Sequence, residues 1–379
     1  MKIFALFIIL LFLLTKHCIS QCNDYQVLFE KDSCLNISQN NEILKTFKSN
    51  FNNYENLVFE GSGQAGIIYV GCVIELEKMG ILDSVKNVAG TSSGAVISML
   101  LALGYNAKEI QKMAYNINNF KMKKGGWWIF GGIFRMKKRY GWYKPNNLID
   151  FFESVIKEKT GSTETTFSQL HKLSVASNYK FKDLYTIGIN LNKQKKEIFS
   201  YKDFPNMPIK NALIISCSIP YYFESIGLNK NGELTKPNDS CDIYIDGGVS
   251  GIYPIDIFDE YNLQNNVVES GLNRKTLGIK TDPIMQVEYH NKGLGLPPKK
   301  ITNLKEYGTA VYTYYIETIN SQYMKEKDWK RTILIGYPSN INVKLSKVTK
   351  LYIDNAINLG IFSVRNYFNE SLIGNKIRE

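Results

Sequence analysis

Histidine is scarce: His17, His171 and His290 are the three in 379 residues. A hydrolytic triad built on an imidazole has little to choose from, because His17 lies in a segment expected to be removed. His171 sits on the polar face of a predicted amphipathic helix, where a solvated or capping histidine is the ordinary case. His290 falls in a loop-like stretch with no apolar strand end to hold its ring. Cysteine is also sparse, six in all, with no spacing that builds a structural zinc site, and no EF-hand loop occurs. Neither a metal nor another cofactor is expected. Zinc-finger, helix-turn-helix and RNA-binding aromatic signatures are lacking, which argues against nucleic acid as the partner of this chain of net charge +11. There is no internal repeat and no long low-complexity linker.

The apolar run Ile3 to Leu14 is too short to span a bilayer, and behind Met1-Lys2 it has the form of a signal-peptide core. Small residues around Cys18-Ile19-Ser20 put cleavage after residue 20 and a mature start near Gln21, with an uncleaved anchor as the rival reading. Either way the chain is expected to enter the secretory route, as a secreted or lumenal protein peripheral to membranes. Of the five cysteines that remain, Cys22 and Cys34 flank a polar extension (21–54) and could pair in an oxidising lumen. Cys72 lies on an apolar helix and reads as a small core residue; Cys217 and Cys241 complete an odd count that leaves a thiol free. Sequons at Asn36, Asn238 and Asn369 are compatible with glycosylation there.

What the chain does carry is Gly90-Thr91-Ser92-Ser93-Gly94 directly after an apolar strand. Glycines two positions either side of Ser92 leave room for a sharp strand-to-helix bend that projects its hydroxyl, a nucleophile elbow. Ser93 lacks that flanking and reads as a neighbour. The favoured base is Asp246, at the end of the short strand Asp242-Ile243-Tyr244-Ile245-Asp246, where Gly247 and Gly248 let another group approach the carboxylate. A carboxylate is a feeble base unless a dry site raises its pKa. Acids also lie between Ser92 and either later histidine, so a Ser/His/Asp triad stays open. Upstream, the strand Leu57 to Glu60 leads into Gly61-Ser62-Gly63-Gln64-Ala65-Gly66 and an apolar helix, a loop that lines up amides for an anion. A dinucleotide site would need an acid at the end of the next strand, which instead runs into the elbow at Ala89-Gly90, so an oxyanion hole made by Gly61, Ser62 and Gly63 is the better reading.

Strands and helices alternate through the middle of the chain: the helix from Gln64, the strand before Gly90, the helix Ser93 to Leu103, then strands at Thr186 to Ile189 and Lys196 to Phe199. Helices follow over Asn303 to Lys325 and Ser346 to Phe368, with a strand at Ile333 to Ile335 between them. The pattern predicts one α/β domain with a mostly parallel sheet wrapped by helices and a C-terminal helical elaboration.

The loop with its Gly66, the elbow about thirty residues on and the Asp246-Gly247-Gly248 turn together resemble a patatin-like phospholipase. The resemblance extends to Ser216-Cys217-Ser218-Ile219-Pro220, Tyr253-Pro254-Ile255 and Asp328-Trp329-Lys330-Arg331-Thr332, and is strongest from Leu57 to Glu260. It implies a three-layer α/β/α fold with a core at 55–260 and an elaboration of the same domain at 261–379. It also implies a Ser92/Asp246 dyad that cleaves phospholipid or lysophospholipid esters through an acyl-enzyme. Two departures bear on substrate preference and rate: Ser62 and Ala65 replace a glycine and a basic residue of the family's loop, and Ile252 stands where the family often has asparagine. Alternatives with the same residues are a neutral glycerolipid lipase, an acyltransferase, or a lipid-binding or storage protein with a weak site.

Between Lys121 and Lys144 no acid interrupts two basic clusters that enclose Trp127, Trp128, Phe130 and Phe134. Aromatic rings between cations suit an anionic membrane interface, with glycine pairs allowing a flap. The same rings could equally cover the core behind the elbow.

Overall fold

The computed structural model describes residues 54–117, 135–229, 232–237, 240–264, 267–338 and 348–376. The expected signal segment, Cys22, Cys34, Asn36, Asn238, Trp127, Trp128, Phe130 and Phe134 lie outside them.

Among the described residues a nine-stranded sheet forms the centre. Its strands are β1 (Asn56–Phe59), β2 (Asn87–Gly90), β4 (Asp183–Asn190), β5 (Lys195–Phe199), β7 (Ile226–Leu228), β8 (Leu234–Thr235), β9 (Asp242–Asp246), β12 (Thr276–Pro283) and β13 (Thr332–Tyr337). β3 (Gly141–Tyr143) pairs with β6 (Tyr221–Phe223), and β10 (Glu260–Gln264) with β11 (Val267–Gly271), outside it. In the order β13-β12-β1-β2-β4-β9-β7-β8 the first five run parallel and β7 points the same way, whereas β9, β8 and the branch β5 run opposite to them. The parallel strands read as continuous apolar runs because both sheet faces are covered. Leu57, Phe59, Val88 and Leu184 enter the main core, while the alternate residues Val58, Ala89 and Tyr185 enter a second cluster with Tyr253 and Ile255. Two separate cores on alternate residues make the protein an α/β/α sandwich, with its central sheet flanked by helices.

The helices are α1 (Ile68–Lys78), α2 (Ser93–Ala102), α3 (Ala107–Tyr115), α4 (Asn146–Thr160), α5 (Phe167–Ala176), α6 (Ile209–Ser216), α7 (Ile284–Asn291), α8 (Leu304–Tyr323), α9 (Glu326–Trp329) and α10 (Lys350–Lys376). Asn303 caps α8 by accepting from the Glu306 amide. α10 packs along α1, held by Arg365 on the buried Glu75 carboxylate at 2.7 Å. Three sheet pairings position the site. β1 and β2 are parallel neighbours in register (Phe59 opposite Gly90), so the glycine loop and the elbow leave the sheet side by side. β2 ends against Thr186 of β4, and β9, running the other way, ends against Gly188. The C-terminal ends of β2 and β9 are therefore delivered to the middle of one strand.

Candidate active site

The elbow is sterically explicit. Ser92 has φ 52° and ψ −121°, a region closed to most non-glycine residues unless the surroundings enforce it. The glycines are needed for contact, not only for flexibility. A Cβ on Gly90 would lie 2.3 Å from the Gly94 backbone, and one on Gly94 would lie 2.4 Å from the Phe59 carbonyl oxygen. The strand and the helix that flank Ser92 thus approach more closely than any side chain permits, and the serine is left on the outside of the bend.

Asp246 ends β9 and is buried. Its Oδ1 accepts from the Gly248 amide at 2.8 Å, and its carboxyl also interacts with the Ser92 side chain. Burial pushes its pKa up to about 7, against the lowering effect of those two hydrogen bonds. The segment after α6 ties the two halves together. Ser216 Oγ accepts from the Ser92 amide at 3.2 Å, the Cys217 thiol donates to the Ser92 carbonyl at 3.6 Å, and the Ser218 carbonyl accepts from the Asp246 amide at 2.9 Å. This explains in physical terms why Ser216-Cys217-Ser218 accompanies the other motifs.

The glycine loop follows β1 as expected, but its amides are not equally available. The Gly61 amide donates to the Ile252 carbonyl at 3.0 Å and the Ser62 amide to Ser93 Oγ at 2.9 Å. Gly63, at φ +53°, faces open space; among the described residues its amide has no hydrogen-bond acceptor. Ser62 sits at φ −129° and ψ 16°, ordinary for any residue, so the exchange of the family's glycine for serine strains nothing. The Ser62 and Ser93 hydroxyls lie 3.4 Å apart, and Gly66 packs against the Ser93 side chain. Ser93 is thus part of the loop's support. The second serine in Thr91-Ser92-Ser93 is its sequence signal.

Two further supports escape local reading. Asn320 of α8, buried, accepts from the Ile252 amide at 3.1 Å, and so fastens the segment whose carbonyl holds Gly61. A lone asparagine in a tyrosine-containing helix is the available hint. Below the loop, buried Lys280 donates to Glu60 at 2.7 Å and to Asp282 at 2.8 Å, while the Thr281 amide donates to Glu60. Burial opposes the lysine charge, but the two carboxylates outweigh it and hold its pKa above the ordinary value. Farther along, Arg331 grips Asp259 through both nitrogens, at 2.6 and 2.7 Å, and Asp328 at 2.6 Å, while Tyr253 Oη lies 2.9 Å from Thr332 Oγ1. The separated motifs Tyr253-Pro254-Ile255 and Asp328 to Thr332 are one contact.

Neither described histidine is at the elbow. His171 Nδ1 lies 2.9 Å from Asp183 Oδ1 and its ring stacks on Tyr201 at 3.9 Å. Asp183 opens β4, opposite Asn87 at the start of β2, whereas Ser92 follows the end of β2. His290 belongs to the last turn of α7, not to a loop, and packs on Trp329 with ring centroids 4.5 Å apart. Cys72, Cys217 and Cys241 are buried and form no disulfide with one another.

The family profile of the patatin-like phospholipases matches residues 57–259. That is more than half of the chain, which belongs to this family. An uncharacterized protein of Acanthamoeba polyphaga mimivirus is 29% identical over 207 residues, 54% of this chain and 62% of the relative. A probable lipid hydrolase of Invertebrate iridescent virus 6 is 29% identical over 223 residues, 57% of this chain and 67% of that protein. The matches thus leave about a third or more of each relative uncovered. VipD from Legionella pneumophila is similar in structure, with a TM-score of 0.48 at 16% identity over 84% of this chain and 67% of that one.

Proposed function

We propose that the protein hydrolyses carboxylic esters of membrane phospholipids or lysophospholipids, with Ser92 as nucleophile and Asp246 as its base. The observation that carries this reading is a buried carboxyl at the end of β9, interacting with the serine of a strained elbow. Ser92 Oγ attacks the ester carbonyl carbon while Asp246 takes the hydroxyl proton. The carbon–oxygen bond to the alcohol then breaks, and Asp246 returns the proton to the departing alkoxide. Water attacks the acyl-enzyme, giving a proton to Asp246; the fatty acid leaves and Ser92 recovers its proton. The oxyanion is held first by the Gly63 amide, and by the Ser62 amide once the Ser93 hydroxyl turns from it. The Gly61 amide, held by Ile252, shapes the loop.

A fluorescent fluorophosphonate tests the nucleophile: labelling of the wild type and none of Ser92→Ala is expected. Product analysis on phosphatidylcholine with two different acyl chains then identifies the bond cut. Equal labelling of Ser92→Ala, or retention of most activity in Asp246→Asn alongside its loss in His290→Ala, would overturn the assignment. The secretory route and the interfacial role of Trp127, Trp128, Phe130 and Phe134 are part of the proposal. Sequencing of the mature terminus checks the first. Equal binding of Trp127→Ala/Trp128→Ala and wild type to anionic vesicles would reject the second.

A further inference from the structure

Helix α8 is amphipathic in the reverse sense. Its protein-facing side carries polar groups: Asn320 is the one buried residue among its described side chains, and the neighbouring Glu317 has its pKa raised by burial, against the opposing charge of Lys280. Its outer side carries Leu304, Tyr307, Tyr314 and Tyr315, spaced by threes and fours around Val311 and each between 44% and 64% exposed. The exposure continues into the preceding segment, at Leu294 and Ile301. More than half of the exposed large hydrophobic residues among the described residues fall between positions 284 and 315. A soluble surface scatters such residues singly, and a contiguous group marks a contact.

We propose that this face seats the protein on an anionic phospholipid bilayer. The reading rests on the function proposed above, because it identifies the surface from which the substrate is drawn. Three observations favour lipid as the occupant. The face mixes tyrosines, which settle at headgroup depth, with leucine and isoleucine, which enter the acyl layer. Its flank is basic, with Lys292, Lys299 and Lys300 against Glu288 and Glu306, in a chain of net charge +11. It is continuous with the site: α8 packs on the turn that follows Asp246, and on the same helix the half-exposed Tyr312 has its phenol raised by desolvation and then by the Asp246 charge. A bilayer resting on α8 therefore meets the mouth of the elbow, and the loop before the helix is braced for this by Lys299, which donates to Thr313 at 2.8 Å.

The test compares the full chain with the triple variant Leu304→Ser/Tyr314→Ser/Tyr315→Ser, with flotation on vesicles of phosphatidylcholine alone and of phosphatidylcholine with phosphatidylglycerol. The wild type and Ser92→Ala should float equally, more strongly on the anionic vesicles, whereas the triple variant should bind at least about tenfold more weakly. Hydrolysis of a soluble short-chain nitrophenyl ester and the thermal midpoint should be unchanged by the triple substitution, which separates a lost surface from a lost fold. A wild type that floats but cleaves no ester would remove the proposed function and leave the docking face standing. A triple variant that floats like the wild type, or one that keeps its vesicle binding while a wild-type dimer becomes monomeric, would overturn the proposal; the second result would assign the face to a second copy of this chain.

Discussion

At Asp246 the needs of stability and of the proposed base catalysis oppose one another. The carboxyl is held up to about 7 by burial, and it can accept the serine proton only when ionised. For a soluble ester, kcat/KM should therefore rise with pH through about 7 and level off above it. An inflection near 4, the ordinary carboxylate value, would contradict the buried-base reading. The unfolded chain releases this proton near 3.8 and the folded protein near 7, so between these values the folded state binds the extra proton. Stability from this group is accordingly greatest below about 4, declines as pH rises through about 7 and stays reduced above. Asp246→Asn keeps an oxygen for the Gly248 amide without a charge to bury. Its thermal midpoint should exceed that of the wild type at pH 8, by an amount corresponding to a few kcal/mol at most, and should match it near pH 4. Its activity should fall by about 10³-fold or more. Melting curves at the two pH values read the first effect, and a lower midpoint for the variant at pH 8 would contradict it.

At the scale of elements, the glycine loop separates two kinds of position that look alike in the sequence. Gly63 occupies a left-handed backbone region and has the amide that remains open, whereas Ser62 has ordinary dihedrals. Gly63→Ala adds open-space bulk but forces about 1 kcal/mol of strain on the backbone. The loop is expected to relieve it by turning the amide, with a loss on the order of 10²-fold in kcat. Ser62→Gly keeps the amide and its bond to Ser93, and should stay within about threefold of the wild type. Steady-state kinetics on the soluble ester distinguish them, and equal losses would mean that the hydroxyls, not the Gly63 amide, do the stabilising.

Across the whole molecule, buried ion pairs join segments far apart in the chain beneath the site. Lys280 bridges Glu60, which immediately precedes the glycine loop, and Asp282, while Arg331 closes on Asp259 and Asp328. Removing one member of such a pair leaves an uncompensated buried charge. Lys280→Met should cost about 3–5 kcal/mol, more at pH 8 than at pH 5, where the stranded Glu60, its carboxyl raised by burial, protonates more readily. The companion Glu60→Gln/Lys280→Met should recover part of that loss. Urea titrations at both pH values measure it; a single variant as stable as the wild type would show that the network contributes nothing net.

The local events were legible in sequence because their causes lie within a few residues. Gly90 and Gly94 bracket Ser92, apolar strands precede both the loop and the elbow, and Asp246 ends a strand before two glycines; the strands at β1, β2, β4, β5 and β13 and the helices α2 and α8 stand where periodicity puts them. The pattern shared by these motifs also carried the family. Other features depended on segments that local pattern cannot pair. His290, whose neighbours resemble a loop, lies in the last turn of a helix, and Trp329 from another element packs on its ring. The engagement of Gly61 by Ile252, of Ser62 by Ser93 and of Ile252 by Asn320, and the outward aromatic stripe of α8, exist only once those segments meet. Dihedral preference and side-chain periodicity act between neighbours in the chain, so sequence alone determined the bend at Ser92 and the strand ending at Asp246. Desolvation and long-range strand pairing act between neighbours in space, so only the tertiary structure decided that β2 and β9 end together on β4 and that the carboxyl there becomes dry enough for its proposed role as base.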